Sequence, residues 1–364
     1  MKLTSAAFSP FRVPLRHPLV TAKGQISVRE GFVLALLADS GELGLGEASP
    51  AYWIGEERIE HTREALESIA GSVERHTDTD ELRQIILTRD DNVPLTPAAR
   101  CALDTALLDL SARARGVSIA RLLRGDSRAS VPVSALLAAR TPDALALEAR
   151  TALENGYATL KLKVGAGTID DDLRNLIALR TAIGEAAIIR LDANRAWTLE
   201  QASAALAAFR PYHVEFVEEP LSSSVPGDLA RLKDASGVAV ALDESITCEA
   251  EFKAFIERDS ADFMVLKAAR IGGPSRCCDI AALAVEAGVK VVVTDSLESA
   301  VGMSLAVHLA AALSPAGTAV GLGGARFLST FTVSGRDFRE APMVSARGPG
   351  LDVSTRSSCR ARHA

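Results

Sequence analysis

From about residue 131 the chain repeats one pattern, a short apolar, β-branched run followed by an Ala- and Leu-rich stretch of helical period. The runs are VPVSALLA (131–138), TLKLKV (159–164), IIRLDA (188–193), VEFVEE (214–219), VAVALDE (238–244), DFMVLKA (262–268), KVVVTDS (290–296) and TAVGLGG (318–324). Strand-like runs joined by helical patterns at a spacing of roughly 22–30 residues predict an α/β chain with a (β/α)8-type barrel. An open doubly wound sheet would need a phosphate-binding Gly-rich turn, and VGLGGA after the last run is not GxGxxG.

Before residue 131 the pattern changes. Residues 3–14 and 28–38 read as strands, DSGELG (39–44) as a turn before LGEASP, and residues 56–75 and 97–115 as helices. This predicts an α+β domain over 1–128, with GDSRAS (125–130) as linker and the barrel over 129–328. The segment 329–364 lacks a helical period and is expected to pack back on the first domain, with RSSCRARHA disordered.

Within the strands, the polar positions stand out. In ATLKLKVGAG (158–167), Lys161 and Lys163 share one face while Leu160, Leu162 and Val164 share the other. Taken alone, this is the pattern of a half-exposed edge strand. The neighbouring runs change the picture. In a barrel of this type catalytic groups come from the C-terminal ends of strands. Those ends carry Asp192 on the third run, Glu218 and Glu219 on the fourth, Asp243 and Glu244 on the fifth, and Lys267 on the sixth. Successive members Asp192, Glu218, Asp243 and Lys267 lie 26, 25 and 24 residues apart, one βα repeat each.

Three carboxylates facing one mouth repel unless a cation lies between them, and a hard divalent ion such as Mg2+ suits oxygen ligands. A lysine is protonated at neutral pH, and a second ammonium with a divalent cation nearby would draw its pKa down toward neutrality. That makes Lys163 the better base candidate with Lys161 as its like-charged neighbour, although strand geometry alone leaves the two interchangeable. Such a set suits removal of a proton alpha to a carboxylate, with Lys267 facing across to add positive charge or deliver a proton.

Composition narrows the classes. The chain of 364 residues is 48% hydrophobic, only 4% aromatic, and carries a net charge of −6 with no basic stripe, so nucleic acid is not an expected partner. The N-terminus lacks the apolar core of a secretory signal and no run of about eighteen apolar residues occurs, so a cytoplasmic protein with no membrane partner is expected. Five cysteines (Cys101, Cys248, Cys277, Cys278, Cys359) form no CxxC pair, and six histidines form no HExxH; Cys277, Cys278 and His308 read as helix residues.

With these motifs, "KLKVG", "DAN", "EEP", "DES" and "KAARIGG", the chain resembles the muconate-lactonizing-enzyme subgroup of the enolase superfamily over nearly its whole length. The resemblance implies an N-terminal capping domain, Mg2+ (or Mn2+) held by Asp192, Glu218 and Asp243, and Lys163 and Lys267 as the acid/base or cationic catalysts. It places Glu219, Glu244, Arg190 and Asn194 as supports behind these groups. "RLDANRAWT" (190–198), "EEPL", "SLESAVG", "REGFVLAL" and "GLGEASP" look most like o-succinylbenzoate synthases of menaquinone biosynthesis. There the base takes a proton alpha to the carboxylate of a cyclohexadiene and hydroxide leaves. N-succinylamino acid racemases, dipeptide epimerases and muconate cycloisomerases share the same set. Dipeptide epimerases of the subgroup usually carry Asp-x-Asp at the eighth strand, where this chain reads VGLGGA, an argument against a dipeptide. Asp295 stands where a small or hydroxyl residue is usual in o-succinylbenzoate synthases. Two loops, around Thr21–Gln25 and Ser49–Glu57, are expected to close over the mouth, with Tyr52 and Trp53 as an apolar lid. Thr21, Ser296, Glu298 and Gly321 complete the candidate substrate contacts. The implied partner is a small-molecule carboxylate, and a homo-oligomer is compatible with the sequence.

Overall fold

Two long strands open the chain: β1 (Leu3–Thr21) pairs antiparallel with β2 (Gly24–Ala38), and β3 (Leu43–Ala48) pairs with the other edge of β2. The computed structural model describes residues 1–21, 24–53, 57–75, 78–87, 95–185, 187–329 and 341–353. Both strands of the hairpin exceed their predicted lengths, because a register shift between Pro14 and Leu19 absorbs the polar Arg16-His17-Pro18 stretch and pairing then resumes. On this sheet pack α1 (Ile59–Arg75) and α3 (Pro97–Ala114), and α2 (Thr79–Leu87) packs on α3. Thr96 caps α3 by accepting from the Ala99 N–H, and Pro97 opens its first turn. Leu34, Leu36, Leu66, Ile69, Leu103 and Ala106 form the core between them. Gly46 on β3 lets that strand lie directly on α3, since a Cβ there would meet the Ala102 carbonyl oxygen at 1.9 Å. The short helix α2 was not expected from the sequence.

After α4 (Ile119–Leu123) comes the repeating part. Its strands are β4 (Ser130–Pro132), β5 (Ala135–Leu137), β6 (Thr159–Lys163), β7 (Ile188–Asp192), β8 (Val214–Glu218), β9 (Val240–Leu242), β10 (Phe263–Leu266) and β11 (Lys290–Val293). The helices between them are α5 (Pro142–Glu154), α6 (Ile169–Ile183), α7 (Leu199–Phe209), α8 (Pro226–Ser236), α9 (Glu249–Ile256), α10 (Ala268–Ile271) and α11 (Pro274–Glu286), followed by α12 (Ala300–Leu313). β5 to β11 form one parallel sheet in chain order. The first predicted run divides into β4 and β5. The eighth, TAVGLGG, forms no extended strand; single bridges from Val320 to Val133 and from Gly321 to Thr294 join the two ends of the sheet. β12 (Met343–Ser345) pairs antiparallel with β4, while Leu351 N–H donates to Asp109 on α3 and the Arg113 guanidinium to the Val353 carbonyl.

Candidate active site

Alternation along the parallel strands decides what enters the barrel. Phe216, Ala241, Phe263, Val265 and Val292 point inward and form a buried cluster of their own, while Leu160, Leu162, Leu191, Val217, Leu242 and Leu266 belong to the large core shared with the surrounding helices. Two residues beyond the inward positions 216, 241 and 265 come Glu218, Asp243 and Lys267, so the charged groups form the next layer up. β6 is an interior strand between β5 and β7, and the edge-strand reading of its lysine face does not hold.

Lys163 is the register partner of Asp192, and Asp192 of Glu218; Glu218 pairs with Ala241, so Asp243 stands two residues further along than a level row would place it. The Lys161 ammonium lies 2.9 Å from Asp192 and 2.6 Å from Glu218, and Lys163 lies 3.3 Å from Asp192. Lys267 donates to Asp243, and Arg270, one helical turn on, approaches the same carboxylate at 2.8 Å. Among the described residues no three His, Cys, Asp or Glu side chains meet as an assembled ion cage, since the Lys161 ammonium occupies the space between two of the carboxylates. Glu218 Oε1, Asp243 Oδ1 and Glu244 Oε2 are buried and receive no aligned hydrogen bond.

Electrostatics follow from this crowding. Burial by itself would raise Asp192, but the Lys161 and Lys163 ammoniums hold it below the usual carboxylate range. Glu218 is pushed up by burial; Lys161 opposes this, and repulsion from Asp192 and Asp243 adds to it. Lys161 moves opposite to the expectation for crowded lysines: burial lowers it, and Asp192 and Glu218 more than reverse that. Lys267 is likewise raised by Asp243 against the effect of burial. Lys161 is therefore an ammonium neutralised by two carboxylates, not a bare like charge beside Lys163.

The supporting residues divide. Glu219, at the left-handed φ of 43°, accepts from the N–H groups of Asp243 and Ser245, both at 2.7 Å, and meets Arg195 at 3.3 Å. Asn194, also at φ 43°, accepts from Lys163 and donates to Glu244 at 3.0 Å. Arg190 does not belong with them. It points inward one layer below, bonds Glu215 and the Ala319 carbonyl, each at 2.6 Å, and lies over Phe216, filling the barrel floor. Arg270, Arg195 and Ser245 were missed; the one signal for Arg270 was its position three residues after Lys267 at a helix start.

Trp53 packs against a buried cluster that includes Leu15, Ile26, Leu297 and Leu328, and Tyr52 lies edge-on to Trp53 at 5.1 Å with 48% of its surface exposed. Thr21 ends β1, but its side chain and residues 22–23 and 54–56 lie outside the described residues. Ser296 and Glu298 are buried in the loop after β11, and Glu298 is raised to about 7 by burial and then by Asp295. Gly321 bridges Thr294. Asp295 leans toward the glycine-rich eighth run and accepts from the Gly324 N–H at 2.9 Å, where a Cβ on Gly324 would collide with the carboxylate. The corner that VGLGGA leaves without an acid therefore holds one from the preceding strand.

Residues 4–124 match the mandelate racemase / muconate lactonizing enzyme N-terminal domain, and residues 144–356 match the enolase C-terminal domain-like family. A chloromuconate cycloisomerase of Pseudomonas sp. (strain P51) is 30% identical over 86% of this chain and 85% of its own length. An L-Ala-D/L-Glu epimerase of Bacillus subtilis (strain 168) is 27% identical over 85% of each chain. The structure of a dipeptide epimerase from Enterococcus faecalis V583, complexed with Mg and the dipeptide L-Leu-L-Tyr, superposes with a TM-score of 0.90 at 26% identity, covering 97% of this chain and 100% of that one. Among the described residues no helix is long and apolar enough to cross a membrane.

Proposed function

The chain belongs to the enolase superfamily, and from that premise we propose that it is a Mg2+-dependent enzyme that removes a proton alpha to a carboxylate and returns one to the same carbon. The observation that carries this reading is the placement of lysines on both sides of the carboxylate layer, Lys161 and Lys163 on β6 and Lys267 after β10. The residues present fit the ion. Asp192, Glu218 and Asp243 would hold it, with the unbonded Glu218 Oε1 as a spare hard oxygen donor, and Mn2+ would suit the same set. When bound, the ion supplies positive charge to the substrate carboxylate as that group takes up the electron pair.

Lys163 is the base. Its side chain is 44% exposed and meets Asp192 only at 3.3 Å, whereas the Lys161 side chain is 16% exposed and held by two carboxylates. Asn194 aims Lys163, and Lys267 faces the opposite side of the substrate as an ammonium able to deliver a proton. Return from Lys267 gives racemisation or epimerisation. The names of the relatives, a cycloisomerase and an epimerase, support an isomerase. RLDANRAWT favours a second outcome on the same residues, loss of hydroxide to give o-succinylbenzoate. Asp295 keeps substrates bearing an ammonium group within range, against the expectation drawn from the eighth run.

The test is deuterium uptake at the alpha carbon in D2O, followed by NMR for N-succinylamino acids and dipeptides, with Mg2+ and with EDTA, alongside ultraviolet loss of the cyclohexadiene. Metal-dependent exchange with inversion supports the isomerase; cyclohexadiene loss without exchange into amino acid derivatives replaces it with the synthase; no exchange anywhere removes the proposal. Asp192→Asn should raise the Mg2+ concentration for half-activation by roughly tenfold or more, and an unchanged midpoint would remove Asp192 from the ligand set.

A further inference from the structure

Arg29 lies on β2, outside the carboxylate and lysine layer, and is only 1% exposed. Its guanidinium bonds the carbonyls of three separate segments: Leu297 at 3.1 Å, Pro50 at 2.7 Å, Ser49 at 2.6 Å and its neighbour Glu30 at 3.1 Å. The Trp53 ring stacks on it at 4.8 Å. A planar fork of five donors can hold several carbonyls at once, which an ammonium on a flexible stem cannot match.

The segments it joins matter. Leu297 belongs to the loop that follows β11 at the C-terminal end of the barrel, and Leu328 and Phe327 follow the eighth run at the same end. Leu297 has a left-handed φ of 63°, unfavourable for a side chain with a Cβ. It is held there from both sides, its N–H donating to Asp295 and its carbonyl accepting from Arg29. In that conformation Leu297 is buried in one apolar cluster with Phe11, Leu15, Ile26 and Leu328, against which Trp53 packs. Ser49, Pro50 and Trp53 belong to the segment leaving β3, so Arg29 ties the roof to the barrel by backbone bonds.

We propose that Arg29 is the positioning residue that seats Trp53 and Leu297 over the barrel mouth, and thereby sets how well substrate is captured without itself touching substrate. This rests on the reading of the mouth as the active site. Its loss loosens the roof and leaves the lysines and carboxylates in place.

Acrylamide quenching of tryptophan fluorescence tests it without turnover. The chain has two tryptophans and Trp197 is 4% exposed, so accessible quenching reports Trp53. Arg29→Met should about double the Stern–Volmer constant, with Arg29→Lys in between. On any substrate the wild type turns over, KM should rise roughly tenfold while kcat falls less than about threefold. Quenching and KM both at wild-type values, or a fall in kcat with KM unchanged, would overturn the proposal. Failure of both variants to fold would pass the decision to Leu297→Gly, which keeps Arg29 but removes the seated side chain; raised quenching supports the proposal and unchanged quenching overturns it. A wild type inactive on every substrate would count against the proton-transfer reading, while the quenching result would still decide Arg29.

Discussion

The rim of the barrel and the roof above it both bury charge, but they satisfy it in different ways. At the rim, side chain meets side chain: Lys161 with Asp192 and Glu218, Lys267 with Asp243. Carboxylate oxygens are left over there, and Glu218 Oε1 and Glu244 Oε2 receive no aligned hydrogen bond. In the roof and its junction with the barrel, charged side chains bond backbone. Arg29 takes four carbonyls, and Glu47 on β3 takes the N–H groups of Ser299 at 2.8 Å and Gly302 at 2.9 Å, opening α12. Spare acceptors suit exchange of ligands and protons, whereas saturated backbone bonds suit fixed placement.

The comparison breaks first at Lys163. Lys163→Ala should lower turnover by about three orders of magnitude and leave thermal unfolding close to wild type, because among the described residues the half-exposed side chain meets only Asp192, at 3.3 Å, and Asn194. Exchange within tenfold of wild type would move the base to Lys161 or off β6. Glu47→Ala should do the reverse. It strands buried donors at the start of α12 and should cost about 3 kcal/mol in denaturant unfolding, while the rim groups remain. A loss below about 0.5 kcal/mol would mean that the junction carries little stability.

How much of this was legible follows the same division. The rim is local: a strand period of two and a repeat of 24–29 residues bring Lys161, Lys163, Asp192, Glu218, Asp243 and Lys267 to one end of a parallel sheet, and both periods are visible in the chain. Arg190 shows the limit, because alternation places it on the correct face but not at the correct height. The roof depends on contacts across the chain, Arg29 with Leu297 and Glu47 with Ser299 and Gly302, which no local period encodes. Asp295 stands out in the sequence, but its partner Gly324 belongs to a run that reads as an ordinary strand, and the missing Cβ there explains the fit.

Asp104 offers a pH-dependent view of the second junction, where α3 meets α11. Its carboxylate accepts from the Ser275 N–H at 2.7 Å and hydroxyl at 2.9 Å, yet burial outweighs both and pushes it up to about 6. The folded state then holds a proton that the unfolded chain releases near pH 3.8, so this contribution is fully present below that value and is lost as pH rises through about 6. Wild-type stability minus that of Asp104→Asn should fall by about 2 kcal/mol between pH 4 and 7 in urea unfolding. A flat difference would mean the carboxylate is ionised throughout.

The smallest effect sharpens the roof. Tyr52 is 48% exposed and lies edge-on to Trp53, so Tyr52→Ala should change stability by less than about 1 kcal/mol. Trp53 differs, since Arg29 lies over its ring and it packs against the apolar cluster that holds Leu297 and Leu328. If Tyr52 lines the substrate, its removal should raise KM by a few-fold, roughly what one lost apolar contact is worth, with kcat unchanged. An unaltered KM would leave Trp53 as the aromatic of the lid and return Tyr52 to the outer surface, which would place the substrate boundary at the ring that Arg29 holds.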